Sequence, residues 1–169
     1  MLDQRQLKPF RSSRDQKEIS LPEVRMATRN DEEDIVRACY RLHEENGQFP
    51  LSIKKLLEIL EDAFETRGAI IGVIGSPVEA CIYLRISSMW YSDVPVWEEF
   101  FSFVLPECRQ GGNAKSLLKF SKDVSDRTNI PVLIGIISNK KTQAKIRLYR
   151  RSFGDPAGAF FLHYPQRHE

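Results

Sequence analysis

Six consecutive residues in the second half of the chain form a candidate phosphate site. They follow a strand-like run that ends at Val104 and precede a helix-like run that begins near Lys115. Two of them are glycines, which let the backbone turn sharply and approach a ligand, and the helix start offers unpaired N–H groups and the positive end of its dipole. This combination favours phosphate binding. The six residues are Arg109, Gln110, Gly111, Gly112, Asn113 and Ala114.

The cysteines and histidines do not indicate a second chemistry. Cys39, Cys81 and Cys108 are odd in number and widely spaced, which predicts reduced thiols rather than disulfides or a metal pair. Cys108 precedes the glycine turn and could be a nucleophile, but no histidine lies near it in the sequence to activate it. The histidines also lack the spacing of metal ligands, so we expect no metal. They are His43, His163 and His168.

The composition is typical of one globular domain. The chain has 169 residues, of which 41% are hydrophobic, enough for an ordinary two-layer core. Its net charge of +2 is too small to make nucleic acid an expected partner. The longest apolar run, residues 130–137, is far shorter than the roughly 18 residues that a membrane span needs. Because no apolar leader is visible either, we expect a cytoplasmic protein without membrane contact.

The order of predicted elements indicates an α/β protein of the α+β kind. Residues 1–20 are mostly polar and are predicted to form a flexible or partner-docking arm, with one domain over residues 21–169. Hydrophobic periodicity predicts a mixed, mostly antiparallel sheet flanked by helices. The expected strands are 24–27, 69–74, 78–89, 96–105, 132–137 and 158–163. The expected helices begin near Asn30, Ile53, Lys115 and Lys141.

The stretch from Val104 to Ala114 reads V-x-x-x-x-R-x-x-G-x-A. In spacing and residue type it resembles the acyl-CoA signature of the GNAT superfamily, the acetyl-coenzyme-A-dependent N-acyltransferases. The resemblance covers about residues 22–164 in element order. In residue identity it is concentrated in this stretch and, more loosely, in residues 148–154. It implies a single-domain GNAT-like fold.

The resemblance also implies where acetyl-CoA binds. Backbone N–H groups of the turn would hold the pyrophosphate, with Gly112 the least replaceable residue, and the Val104 region would pair with pantetheine amides and polarise the thioester carbonyl. Gln110 stands where glycine is common in the family, and Asn113 where an apolar residue is usual. The implied cofactor-binding residues are Val104, Arg109, Gln110, Gly111, Gly112, Asn113 and Ala114.

Acyl transfer to an amine needs a base, because an alkylamine with a pKa of about 10.4 is protonated at neutral pH. Glu98 and Glu99 lie on the strand before the turn. We favour Glu98, since some family members place their base at this distance from the arginine and since Glu98 on a regular strand shares a face with Ser102 and Val104. The alternative is that one or both glutamates lie at a solvated strand end.

The departing thiolate needs a proton donor. Residues 148–154 are similar to the family stretch L-Y-x-x-x-G-F, in which the tyrosine often protonates the sulfur, and the resemblance therefore implies that Tyr149 is the general acid. The stretch ends in Phe153-Gly154 rather than Gly-Phe. Because Tyr149 follows Ile146 at helical spacing, the alternative is a tyrosine of the core.

The sequence thus predicts an N-acetyltransferase that moves an acetyl group from acetyl-CoA to a primary amine by direct attack. The acceptor could be a small molecule or a protein or peptide amine, and a longer acyl group and a homodimer remain open. The alternative function is that of a non-catalytic GNAT-like binding or structural protein. A weaker one is nucleic-acid binding through a basic helix, whose cations could equally hold the cofactor's 3′-phosphate or lie in solvent. These cations are Lys140, Lys141, Lys145, Arg147, Arg150 and Arg151.

Overall fold

The computed structural model describes residues 20–165. Except for Ser20, the arm predicted over residues 1–20 lies outside this range, as do residues 166–169. The strands are β1 Arg25–Met26, β2 Ala69–Ile74, β3 Ala80–Ser88, β4 Pro95–Val104 and β5 Val132–Leu133. The helices are α1 Glu32–Asn46, α2 Ile53–Phe64, α3 Asn113–Thr128 and α4 Thr142–Phe153, and two 3₁₀ turns span Arg29–Asp31 and Pro106–Cys108.

The strands form one sheet in the order β1-β2-β3-β4-β5. Strands β1 to β4 are antiparallel to their neighbours, and β5 is parallel to β4. This confirms the predicted mixed, mostly antiparallel sheet with flanking helices. Strand β5 pairs with the first half of β4, at Trp97 and Glu98, and ends at Leu133, whereas β4 continues to Val104. The second half of β4 therefore has a sheet partner only in β3.

A bulge interrupts β4 at Phe100. Tyr83 of β3 pairs with Phe101, and its neighbour Leu84 pairs with Glu99, which leaves Phe100 with no residue opposite it. Side chains alternate between the two faces of a regular strand, and one extra residue reverses that alternation. Positions before and after Phe100 that would lie on opposite faces of an unbroken strand therefore share a face.

Helices cover both faces of the sheet, as amphipathic helices beside a sheet require. On one face, Ile35 of α1 and Leu60 of α2 pack against Tyr83. On the other face, Leu117 of α3 packs with Leu84 and Trp97. No helix in the described part of the chain is both long and apolar enough to cross a bilayer.

Helix α3 approaches the sheet closely at Gly72 of β2. A Cβ atom at this position would lie 2.7 Å from a ring carbon of Phe120 and 2.8 Å from a methyl carbon of Val24. These distances are shorter than van der Waals contact, so the position requires glycine. This close approach places Phe120 of α3 directly against β2.

The structure differs from the sequence prediction at two strands. Strand β5 ends at Leu133 instead of residue 137, and the strand predicted over residues 158–163 is not part of the sheet. Because β5 is so short, the C-terminal segment finds no strand to extend. It lies instead against the loop between α1 and α2, where the Tyr164 hydroxyl donates to the backbone oxygen of Gln48 at 3.2 Å.

Candidate functional site

A cavity of about 570 Å³ opens where β4 and β5 separate. Its walls come from residues 98–104 of β4, residues 133–137, the C-terminal end of α1 and the inner side of α4. One end reaches the glycine turn through Arg109 and Ala114. The predicted site residues in its lining are Glu98, Val104, Arg109, Ala114 and Tyr149. The remaining turn residues, Gln110, Gly111, Gly112 and Asn113, do not line it.

Three polar side chains meet in the wall of this cavity. Ser102 Oγ and Tyr149 Oη lie 3.3 Å apart, and both hydroxyls act on the carboxyl group of Glu99. Burial raises the pKa of Glu99 to about 7, although the Ser102 hydroxyl, the Gly135 N–H and the Tyr149 hydroxyl stabilise the charged form. A carboxyl group with this pKa exchanges protons readily at neutral pH, as a general base must.

Tyr149 complements Glu99 as a proton donor. Burial raises the pKa of its phenol above the ordinary value of 10.0, and the charge of Glu99 raises it further. The phenol therefore keeps its proton at neutral pH. A protonated hydroxyl that acts on a nearby titrating carboxyl group is an arrangement through which a proton can pass in either direction.

The sequence predicts that Glu98 lies on the same face of β4 as Ser102 and Val104. This prediction is wrong because a bulge interrupts the strand at Phe100. Trp97 and Val104 are an odd number of positions apart, yet both pack in the core cluster beneath α3. Glu99, two positions from Trp97, therefore shares the face of Val104, while Glu98 lies on the other face opposite Arg85. Glu98 still lines the cavity. Its catalytic role stays a prediction.

The glycine turn has the backbone that an anion site needs. Gly112 precedes α3 with φ 85° and ψ 1°, in the left-handed region that L-residues occupy at a cost of about 1–2 kcal/mol. Within the described range, Ser116 is the first residue of α3 whose N–H bonds to a backbone oxygen, that of Gly112 at 3.0 Å. The N–H groups of residues 113–115 thus lack backbone acceptors there and can receive an anion.

Arg109 holds the turn in place. Its Nε donates to the backbone oxygen of Val104 at 3.1 Å, and its Nη2 donates to Glu45 Oε2 at 2.7 Å. The guanidinium carbon also lies 5.4 Å from the ring centroid of Phe103. These three contacts fix the turn relative to β4 and α1 and leave the arginine charge at the end of the cavity.

The structure explains why position 113 holds an asparagine, where an apolar residue is usual in the family pattern. It is 3% exposed, and its Nδ2 donates to Glu79 Oε2 at 3.2 Å and to the backbone oxygen of Cys108 at 3.3 Å. The amide thus ties the 3₁₀ turn before the glycines to the start of α3.

Burial, Glu79 and Glu107 raise the pKa of the Cys108 thiol, which opposes a role as nucleophile.

Sequence reasoning missed the contribution of α1 to the cavity. Glu45 and Asn46 form its wall, with Asn46 Oδ1 accepting from Ser138 Oγ at 3.1 Å and from the Asn139 N–H at 3.0 Å. Burial raises the pKa of Glu45, but the bond from Arg109 and the charges of Arg109, Lys145 and Lys140 outweigh burial and lower it. In the sequence these residues read as the polar end of an amphipathic helix, so no local signal marks them.

No protein-family profile matches the sequence, and no curated protein matches it. Among solved structures, AAC(6')-Iy in complex with the bisubstrate analogue CoA-S-monomethyl-acetylneamine gives a TM-score of 0.66 over 88% of this chain and 100% of that chain. The chain has the GNAT fold. The sequences of this chain and of AAC(6')-Iy are 14% identical.

Further solved GNAT structures agree with this assignment. A possible acetyltransferase from Clostridium difficile 630 gives a TM-score of 0.65 at 19% identity over 88% of this chain and 100% of that chain. The aminoglycoside 6'-N-acetyltransferase AAC(6')-IG from Acinetobacter haemolyticus gives 0.61 at 13% identity over 87% and 99%. The fold resemblance predicted from the sequence is confirmed. At these identities the likeness establishes the fold alone.

Proposed function

We propose that this GNAT-fold protein transfers an acetyl group from acetyl-CoA to a primary amine by direct attack. The observation that carries the proposal is the clustering of Glu99, Ser102 and Tyr149 in the wall of a cavity that leads to the glycine turn. A base and an acid thus lie side by side, and a phosphate site lies at the end of the same cavity. The fold adds support, because AAC(6')-Iy was solved with a CoA-containing analogue.

The chain has the groups that acetyl-CoA requires. The open N–H groups of residues 113–115 and the left-handed Gly112 suit the pyrophosphate. Arg109 and two lysines of the cavity lining, Lys140 and Lys141, give this region a positive charge that favours the cofactor's phosphates. The remaining cavity wall is largely apolar and fits the pantetheine arm and the acetyl thioester that acetyl-CoA supplies.

Each of the two titrating groups then has one task. The amine nitrogen bonds to the acetyl carbonyl carbon as the carbon–sulfur bond breaks, Glu99 accepts the proton from the amine, and Tyr149 donates its proton to the leaving sulfur. Because the two side chains act on each other's protonation, Glu99 can then return the proton to the phenolate. No net proton is left on the protein, so the pair is ready for another turnover.

Two further roles remain proposals beside this one. Glu98 lines the cavity on the opposite face and is the rival base. The Val104 region would pair with pantetheine amides, and its backbone N–H would polarise the thioester carbonyl, as the resemblance implies. The carbonyl of Val104 already accepts from Arg109, so the N–H is the group of this residue that we propose for the cofactor.

Calorimetric titration with acetyl-CoA, followed by an acceptor screen that detects thiol release, tests the proposal. The screen includes aminoglycosides, polyamines and peptides, since an aminoglycoside acetyltransferase with this fold was solved with sisomicin. A parent protein that does not bind acetyl-CoA contradicts the proposed function. Binding without turnover of any acceptor supports the non-catalytic alternative instead.

A pair of matched variants identifies the base. Glu99→Gln should lower turnover by about a hundredfold or more at neutral pH, with partial recovery at alkaline pH where more amine is already neutral. Glu98→Gln makes the same change on the other face of β4. If Glu98→Gln shows the larger loss and the alkaline recovery, the base is Glu98 and the assignment to Glu99 fails. Glu44→Gln, at an exposed position of α1, controls for the loss of one negative charge.

A further inference from the structure

Lys145 is a nucleophilic group that the proposed reaction does not use. It lies on α4 one helical turn before Tyr149, so both side chains project from the same face of the helix. Both residues line the cavity between β4 and β5. Lys145 is the only lysine of α4, so its amine is the one that this helix carries close to the proposed general acid.

The surroundings of Lys145 fix its amine within the cavity wall. The residue is half-buried, and its Nζ donates to Ser138 Oγ at 2.6 Å. Ser138 Oγ is in turn 3.1 Å from Asn46 Oδ1 at the end of α1. A lysine held in this way loses the freedom of a surface lysine and cannot be the solvated cation that the basic stripe suggests.

Burial favours the neutral form of the Lys145 amine, against the combined effect of the neighbouring charges. Burial lowers the pKa of Lys145 and the charge of Arg109 lowers it further, whereas Glu45 acts in the opposite direction. Glu45 is itself bonded to Arg109 at 2.7 Å, but its effect on the amine still exceeds that of Arg109, so burial alone accounts for the lowered pKa. Only a neutral amine can attack a thioester, and a lower pKa increases that fraction at a given pH.

We propose that Lys145 is a self-acetylation site, at which the protein transfers the acetyl group of bound acetyl-CoA to its own side chain when no acceptor amine is present. The proposal rests on the proposed binding of acetyl-CoA in this cavity. The Lys145 nitrogen forms an amide bond to the acetyl carbon, the carbon–sulfur bond breaks, and CoA leaves as the thiol. The proton lost by the amine passes to Glu99, and Tyr149 protonates the sulfur.

The modification would change the cavity in a defined way. Acetylation removes the positive charge that faces Glu45 but retains one N–H, which can still donate to Ser138. It also places an acetyl group inside the cavity next to Tyr149. Because Lys145 supplies a single amine at this position, the reaction stops at one acetyl group per chain.

Peptide mapping by mass spectrometry after incubation of the full chain with acetyl-CoA alone tests the proposal. We expect one acetyl group on Lys145, added at least about tenfold faster than on Lys54, because a bound thioester and a more neutral amine both favour Lys145. Lys54 is a suitable internal control, with a side chain that is 87% exposed. The rate at Lys145 should saturate with acetyl-CoA and should not depend on protein concentration.

Two variants separate the proposal from trivial outcomes. Lys145→Arg keeps the charge and should abolish the fast site, while Tyr149→Phe should slow acetylation at Lys145 about tenfold or more and leave Lys54 unchanged. If calorimetry shows acetyl-CoA binding but Lys145 reacts no faster than Lys54, the self-acetylation proposal is wrong and the proposed function stands. If acetyl-CoA does not bind at all, the proposed function fails, and this inference fails with it.

Discussion

Glu99→Gln should change the pH dependence of folding stability, independently of any activity. Burial raises the pKa of Glu99 from 4.5 to about 7 in the native state. The native state therefore holds this proton more tightly than the unfolded state between these two values, and the free energy of unfolding falls as pH rises through this range. Above the higher value the native state carries a buried carboxylate. At 1.36 kcal/mol for each tenfold change in proton affinity, the full loss is about 3 kcal/mol.

Urea denaturation of the parent and of Glu99→Gln at about pH 5 and about pH 8 measures this loss, since the two values bracket the titration. Glutamine has nearly the same shape and no titration, so all other titrating groups cancel in the difference between the two proteins. We expect the parent to lose about 2–3 kcal/mol relative to the variant between the two pH values.

Glu44→Gln is the matched control for this measurement. It makes the same chemical change at an exposed position of α1, where the expected effect is about 0.5 kcal/mol or less at both pH values. If the stability difference between the parent and Glu99→Gln is the same at both pH values, the carboxyl group of Glu99 is solvated. Its proposed role as a base tuned to neutral pH then loses its physical basis.

Three further outcomes follow from the site. Gly112→Ala should lower the free energy of unfolding by about 1–2 kcal/mol in urea denaturation because the φ of Gly112 is 85°, and it should weaken acetyl-CoA binding at least tenfold in calorimetry. Gly111→Ala, at a position with room for a Cβ atom, is the stability control. Equal losses of stability in the two variants would exclude strain at Gly112. Asn113→Leu should lower the free energy of unfolding by about 1–3 kcal/mol, although it restores the apolar residue that is usual in the family, because two partly buried hydrogen bonds are lost. An unchanged melting temperature would contradict the structural role of Asn113. Tyr149→Phe should lower turnover by about a hundredfold with acetyl-CoA affinity and melting temperature nearly constant, whereas parent-like turnover would make Tyr149 a core residue.

Local patterns predicted most of the architecture because each element depends on its own residues. The apolar stripe of α2 is visible as Leu56 and Leu60 one turn apart, and both are buried. The turn at Gly112 could be predicted because two adjacent glycines between a strand-like run and a helix-like run are typical of a sharp turn. Strand β2 likewise lies at the predicted residues 69–74.

The C-terminal segment shows where local patterns fail. Residues 158–163 are apolar and aromatic, which is typical of a strand, but a strand also needs a neighbour with unpaired backbone groups. Strand β5 ends at Leu133 and cannot provide one. Phe160 and Phe161 are 86% and 96% exposed as a result. Whether an apolar segment joins a sheet is thus decided by the length of another strand.

The meeting of Glu45 and Lys145 in one cavity could not be predicted, for a related reason. Glu45 and Lys145 are far apart in sequence, and each is a charged residue on an amphipathic helix. Charged residues in such positions usually lie in solvent. They become functional candidates only because α1 and α4 both line the cavity between β4 and β5, where burial and Arg109 act on both residues.

Phe100 decides which glutamate faces Tyr149. On an unbroken β4, Glu98 would share the face of Ser102 and Val104, as the sequence alone predicts. The bulge adds one residue between them and replaces Glu98 by Glu99 on that face. A bulge is a property of the pairing of two strands, here β3 and β4, and a single strand sequence does not reveal it. The same bulge that makes the choice of Glu98 from the sequence fail thus puts Glu99 on the face where the hydroxyl group of Tyr149 acts on its carboxyl group.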